Sequence, residues 1–468
     1  MKKIFKKIAI ALIGLAILIA LAFFILLDKV DNRPYFKTQY YQKTKTRLDS
    51  TLAHLQKEQG QLYAGFAKIN ITPTINAQSD DPAHGAFAKI FMAGYGGREN
   101  PAQGVHDSIF ARAVMLKVGN KKLVFVGADI LLMPPAVADS IYNKLKNKTG
   151  LTRAQVFFGA THTHSSLGSF SAGYVGEKFS GVYQPAFVAW LSQQFIQLIN
   201  EAIQDAKPAA IGTASFKAKA FIKNRMIGET GRLDDLFCFV SVVQHEGRKA
   251  ILGSFNAHAT TLNGSNLLLS GDYPAYWERD LEKETADLAV FFAGTVGSHS
   301  NRGKGSAFEK AKYIGEALAD SVKFYLKKVI RKDTVEFTSF AQKIDIPKMQ
   351  IRLTDNYHLI PYIANKLITG THDQSIQGLK IDHLIWMTLP CELSGEYAID
   401  LRNALALKGY RSIFTSFNGS YLGYVVPQKY YHYESYESFL MGWYGPNMGD
   451  YLMELLFTSC NAMTGEKL

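Results

Sequence analysis

The chain has 468 residues, a formal net charge of +12, 47% hydrophobic and 20% charged residues, and three cysteines. These proportions exclude a disordered chain, a disulfide-stapled miniprotein and a collagen-like or coiled-coil fibre, and they leave enough apolar chain for a large core. The basic excess is modest and lacks long basic runs, which argues against a nucleic-acid partner. Cys238, Cys391 and Cys460 lie far apart with no CxxC pair, so neither a thiolate zinc site nor a thioredoxin-type motif is indicated.

The chain opens with Lys2, Lys3, Lys6 and Lys7, followed by an uncharged run over 8–27 that ends at Asp28. At the helical rise such a run covers about 30 Å, the thickness of a bilayer core. Residues 1–30 are therefore expected to form a signal anchor with a transmembrane helix. The lysines would leave the N-terminus cytoplasmic and the rest of the chain extracytoplasmic. Residues 31–61 are polar, with Leu48, Leu52 and Leu55 at helical spacing, and read as a stalk. Lys43, Lys45 and Arg47, just past the anchor, could touch anionic lipid headgroups, against the blander reading of a solvated spacer.

Residues 62–468 show no fixed repeat and no long Pro/Gly/Ser linker, and read as one large domain. Strands are expected over 121–129, 154–160, 249–257, 288–293 and 380–389, several too continuously apolar to have a wet face. Helical periodicity marks 135–147, 184–206, 274–286, 307–328, 394–407 and 447–457. Such interleaving implies a mixed α/β fold, β-sheets flanked by helices.

Polar groups collect where the apolar strands end. The strand at 154–160 runs into Thr161-His162-Thr163-His164, and in extended chain residues i and i+2 share a side, so both imidazoles can face one cavity. A second strand ends in Asn256-Ala257-His258, a third runs into the Gly-rich turn 294–303 with Ser298, and a fourth ends in Pro390-Cys391-Glu392. In open α/β sheets ligands bind at the carboxyl ends of strands. Singly, each residue has a bland alternative: a hydrogen-bonded core histidine, a helix-capping Glu392, a turn serine at 298. Together, two histidines and a carboxylate suit Zn²⁺ with a position left open for water.

These residues resemble the neutral/alkaline non-lysosomal ceramidases. The resemblance runs in order through residues 63–74 (YAGFAKINITPT), Gly104-Val105-His106-Asp107, Ala111-Arg112-Ala113, Gly127-Ala128-Asp129, Ala160 to Ser165, Asn224-Arg225, Asn256-Ala257-His258, Ser270-Gly271-Asp272, Pro390-Cys391-Glu392 and Ser420 to Val425. It implies a membrane-tethered zinc amidase that cleaves a lipid-like N-acyl amide with a zinc-activated water. Carried over by position, it makes His162, His258, Glu392 and Tyr424 the Zn²⁺ ligands, sets His164 beside the attacking water, and puts Arg225 and Tyr436 near the scissile carbonyl. It also accounts for the tyrosine-rich stretch 421–436, which otherwise reads as aromatic packing. Two features depart from the pattern. The family's "GDVSPN" turn corresponds to Gly294-Thr295-Val296-Gly297-Ser298-His299-Ser300-Asn301, where an ungapped serine position falls on Gly297 and Ser298 comes one residue late. Ser298 is the candidate contact to the substrate head. The family's C-terminal immunoglobulin-like domain finds no counterpart before Leu468. The same metal site acting on an ester or cell-envelope amide, and a non-catalytic binding protein, are the alternative readings.

Overall fold

The computed structural model of the chain describes residues 2–368 and 373–468, except for the side chains at 16, 17, 19–22, 24, 147 and 148. Twelve strands make the main sheet: β1 (Lys57–Asn70), β2 (Phe110–Val118), β3 (Lys121–Ala128), β4 (Val156–Phe158), β5 (Lys207–Lys217), β6 (Leu236–Gln244), β7 (Lys249–Phe255), β8 (Leu288–Ala293), β9 (Thr334–Lys343), β10 (Ser375–Ile381), β11 (Leu384–Thr388) and β12 (Arg411–Thr415). The path runs β8-β7-β6-β5-β1-β9-β10-β11-β12, with β2, β3 and β4 branching from β1. The branch arises because β1 is long: its start at Lys57–Gln61 pairs with β9, Tyr63 and Ala64 pair with β5, and Leu62–Asn70 pairs with β2.

Three wings result, and the two-residue period of a strand decides which side chain serves which layer. Leu123 and Phe125 on β3 face a shared core with Val240, Leu252, Val290, Leu379 and Trp386 from the other wings. Val124 and Val126 face outward, under α3 (Pro135–Thr149) and α5 (Pro185–Gln204). Likewise α6 (Asp272–Glu284) and α7 (Ala307–Leu326) cover β6–β8. The outer face of β9–β12 is covered by α9 (Gly395–Leu407) and α10 (Met448–Thr464). Burying a large apolar side chain contributes about 1.5–3 kcal/mol, so these four clusters dominate the stabilisation. Parallel pairing occurs at the wing edges, β3 with β4, β7 with β8 and β11 with β12. Their carboxyl ends lead into the polar segments singled out above. All three cysteines are free and buried.

A buried ionic cluster ties two wings together. Arg112 on β2 is 1% exposed and meets Asp129 at 3.1 Å, Glu278 at 2.7 Å and Glu282 at 3.2 Å, the last two carried by α6. Lys68 also holds Glu282, at 2.6 Å. Burial, reinforced by Asp129, raises Glu278 well above the ordinary carboxylate range against the pull of Arg112.

The N-terminal region differs from expectation. The first helix, α1 (Lys2–Leu26), begins among the lysines, and among the described residues no helix is long and apolar enough to cross a membrane. The transmembrane anchor is therefore not supported. The chain turns at once into Leu27–Lys29, which pairs with Tyr357–Leu359 of the body. Nor is 31–61 a stalk. Its helical spacing is real, forming α2 (Gln39–Ala53), but the apolar face packs on the domain: Leu48 is fully buried, and Tyr35 and Tyr41 donate to Glu454 of α10. β1 then starts at Lys57, before the expected boundary at 62.

Candidate metal centre

β4 delivers the first pair of histidines. His162 takes a left-handed backbone (φ 62°), costly for a residue with a Cβ, and its ring Nδ1 lies 2.7 Å from the Leu131 carbonyl. A carbonyl only accepts, so Nδ1 carries the hydrogen and Nε2 keeps its lone pair. Phe417 stacks on this ring at 4.5 Å. His164 reaches the same side, its Nε2 3.3 Å from that of His162. Gly94 makes the room, for at its φ of 113° a Cβ would lie 2.6 Å from the His164 ring.

β7 delivers His258, whose Nδ1 is 3.0 Å from the His299 carbonyl, again leaving Nε2 as the acceptor. The short strand Glu392–Leu393 pairs in parallel with Tyr424–Val425, which sets Glu392 opposite Tyr424. Tyr421 donates to Glu392 Oε1 at 2.6 Å. The other oxygen, Oε2, is buried without a hydrogen-bond donor, 3.0 Å from His258 Nε2 and 3.4 Å from His162 Nε2. Tyr424 brings its hydroxyl to 3.0 Å from His258 Nε2. Arg225 donates to that hydroxyl at 3.0 Å, while its Nε donates to Glu437 at 2.6 Å.

The electrostatics follow from this packing. Burial, then the Arg225 charge and His162, lowers His258 to about 3, and burial holds His164 well below the ordinary imidazole range. Despite the penalty of burial, the Glu392 carboxyl lies well below its ordinary value and is ionised. Burial and then Glu392 hold the Tyr424 phenol well above its usual range. Two imidazole lone pairs and a carboxylate oxygen thus converge without a proton among them. Converging acceptors in a buried site repel one another unless a cation sits between them. His162, His164 and His258 place their ligand-capable nitrogens within 4.8 Å of one another, close enough to hold a metal ion. The residues present fit a divalent metal.

A cavity of about 1170 Å³, mouth included, opens beside the cluster. His162, His164, Glu392, Tyr424 and Tyr436 line one side, and Leu131, Phe170, Phe179, Met441 and Trp443 line the rest. Tyr436 stands edge-on to Tyr424 at 5.6 Å.

Of the residues singled out in the sequence, His162, His164, Arg225, His258, Glu392, Tyr424 and Tyr436 come together here. Ser298 does not reach the cavity. It is fully buried, accepts from the Gly395 amide at 3.1 Å and from Ser394 Oγ at 3.0 Å, and so fastens the start of α9 behind Glu392. At Gly297, where the family's serine falls, a Cβ would overlap the Glu392 carbonyl oxygen. The serine contact to substrate is therefore corrected to a structural role. Tyr421, Glu437 and the carbonyls of Leu131 and His299 were not foreseen. Tyr421 lies inside the quoted stretch 420–425 and Glu437 beside Tyr436, whereas backbone carbonyls carry no side-chain signal.

The fold and site define a mixed α/β protein with a histidine–carboxylate centre beyond the carboxyl ends of the parallel-paired strands β4, β7 and β11. Residues 79–228 match the model of the neutral/alkaline non-lysosomal ceramidases, N-terminal. The neutral ceramidase of Pseudomonas aeruginosa is 26% identical over 260 residues, 49% of this chain and 38% of the relative. That of Mycobacterium tuberculosis is 24% identical over 217 residues, 42% and 34% of the two chains. The aligned part thus spans well under half of these relatives. The crystal structure of the Pseudomonas aeruginosa neutral ceramidase superimposes with a TM-score of 0.70 over 87% of this chain and 75% of that one, at 20% identity, and shows the same fold. A solved ceramidase complexed with C2 gives the same TM-score at 19% identity. The chain is thus similar to the neutral/alkaline ceramidases in sequence over part of its length and shares their fold.

Proposed function

We propose that the protein is a zinc-dependent hydrolase that cleaves a lipid-like N-acyl amide. The observation that carries this reading is the convergence of the His162, His258 and Glu392 acceptors on one point in the wall of an apolar cavity. The ceramidase relatives support the amide bond and the lipid-like substrate. His162, His258 and Glu392, joined by Tyr424, would hold the ion. When bound, zinc supplies Lewis acidity toward the scissile carbonyl and makes a water easier to deprotonate. His164, kept neutral by burial, takes a proton at a ring nitrogen and returns it to the leaving amine. Arg225, braced by Glu437, and Tyr436 donate to the carbonyl oxygen as it gains charge. Losing one such donor costs about 3–4 kcal/mol in the barrier. The apolar lining takes the acyl chain and keeps bulk water out.

Membrane attachment on the extracytoplasmic side belongs to the same proposal. It is supported by the exposed side chains of Ile4, Phe5, Ile8, Leu12 and Ile13 along α1 and by the lysines at its start.

A panel of N-acylsphingosine, N-acyl amino acid and ester substrates tests the bond and the head group. Hydrolysis of N-acylsphingosine is expected. Turnover of esters with none of either amide would favour the same site acting on another bond, a reading that the burial of Ser298 supports. Inertness toward the whole panel would count against catalysis.

A further inference from the structure

The foot of α1 and the rim of the cavity form one continuous face. Ile360 donates its amide to the Leu26 carbonyl at 2.9 Å, and the chain then runs directly into α8 (Pro361–Leu367). That helix packs on α4 (Tyr174–Ser180), whose Val175 and Phe179 line the cavity together with Ile368, the residue just past α8. Tyr174 and Tyr362, one on each helix, are 70% and 67% exposed. An open cleft at the foot of α1 reaches Pro361 and is lined by Lys29, Lys37, Lys43 and Lys348. These four lysines are exposed and form no ion pair among the described residues. Of the acids in the cleft, Asp31, Asp345 and Asp373 pair with Arg33, Arg47 and Lys343, which leaves Asp28 to offset the four lysines.

We infer that this face docks on an anionic lipid bilayer, with the four lysines against the headgroups, Tyr174 and Tyr362 at the interface, and the cavity mouth turned toward the lipid. Charge complementarity selects this occupant: lysines near an anionic surface each contribute about 1 kcal/mol, and exposed tyrosines favour the headgroup level. The exposed apolar side of α1 enters the same face. The route it gives a substrate, from bilayer to cavity without crossing bulk water, rests on the lipid-like substrate proposed above. The docking itself does not.

The experiment uses the full chain. Because the native cysteines are all buried, Tyr174→Cys, Tyr362→Cys and, on an exposed turn outside this face, Glu246→Cys can each carry a polarity-sensitive dye. Vesicles of phosphatidylcholine with and without phosphatidylserine are then added. Blue shifts at 174 and 362 but not at 246 are expected. Reversing the four lysines to glutamate should cut the preference for anionic over neutral vesicles about tenfold or more. Equal shifts at all three positions, no shift at 174 and 362 on bound vesicles, or an unchanged preference after charge reversal would overturn the inference. So would shifts that grow with protein concentration alone, which would make a second copy of the chain the occupant. None of these readouts requires turnover, so a failed docking face and a failed hydrolase reading are told apart.

Discussion

Two buried charged clusters sit at the end of β3, two residues apart in sequence, and they are built in opposite ways. Asp129 joins Arg112, Glu278 and Glu282, where the guanidinium is a cation supplied by the chain. The Leu131 carbonyl orients His162, where the convergent atoms are acceptors with no proton between them and Glu392 Oε2 lacks a donor. The first cluster carries its own cation and serves to tie α6 to β2. The second is complete only with a cation from outside, and it faces a cavity. Burial alone therefore does not separate structure from function. What separates them is whether the chain neutralises its own charges.

The sharpest way to break this contrast is at the second cluster. His258→Ala and Glu392→Gln should each abolish metal retention and hydrolysis while leaving the metal-free fold nearly as stable, since each removes one of the repelling acceptors. Calorimetry of chelated protein beside an activity assay checks both halves. At the first cluster the effect should fall on stability alone. Arg112→Met leaves buried carboxylates without their counter-ion and should lower unfolding free energy by about 3–5 kcal/mol, with or without chelator, as read from denaturant curves.

Smaller effects refine the boundary between the two. Tyr421→Phe removes the donor to Glu392 Oε1 and should weaken metal affinity about 10–100-fold, measurable by competition with a coloured chelator. Ser298→Ala should cost only about 1 kcal/mol of stability and leave kcat unchanged, because its hydroxyl ties α9 and does not reach the cavity. A large kcat loss would return Ser298 to the reacting groups.

Much of this was legible in the sequence where a single signal dominated. The stretch 288–293 coincides with β8, five of the six periodic segments became α3, α5, α6, α7 and α9 to within two residues at each end, and the sixth became α10, which runs seven residues further than expected. The apolar run at 380–389 hid a hairpin, since Asp382 adopts a left-handed turn (φ 47°) between β10 and β11. Periodicity did not mark β1, because one strand serves three partners and its mixed burial matches no simple alternation; only the family resemblance at 63–74 pointed to a strand there. The residues that meet at the centre were readable as polar side chains at strand ends. The carbonyls that set the two histidine tautomers were not, and the burial of Ser298 depends on α9, 97 residues away, through Gly395. The face of α2 was read correctly as amphipathic, but sequence could not say that the domain itself would cover it.

Metal content of the purified full chain tests the central claim most directly, measured beside His258→Ala and after chelation. The expected result is about one zinc per chain, lost in the variant and on chelation, with hydrolysis lost and restored together with the ion. A chain that carries no metal and hydrolyses its substrate at an undiminished rate would contradict the account.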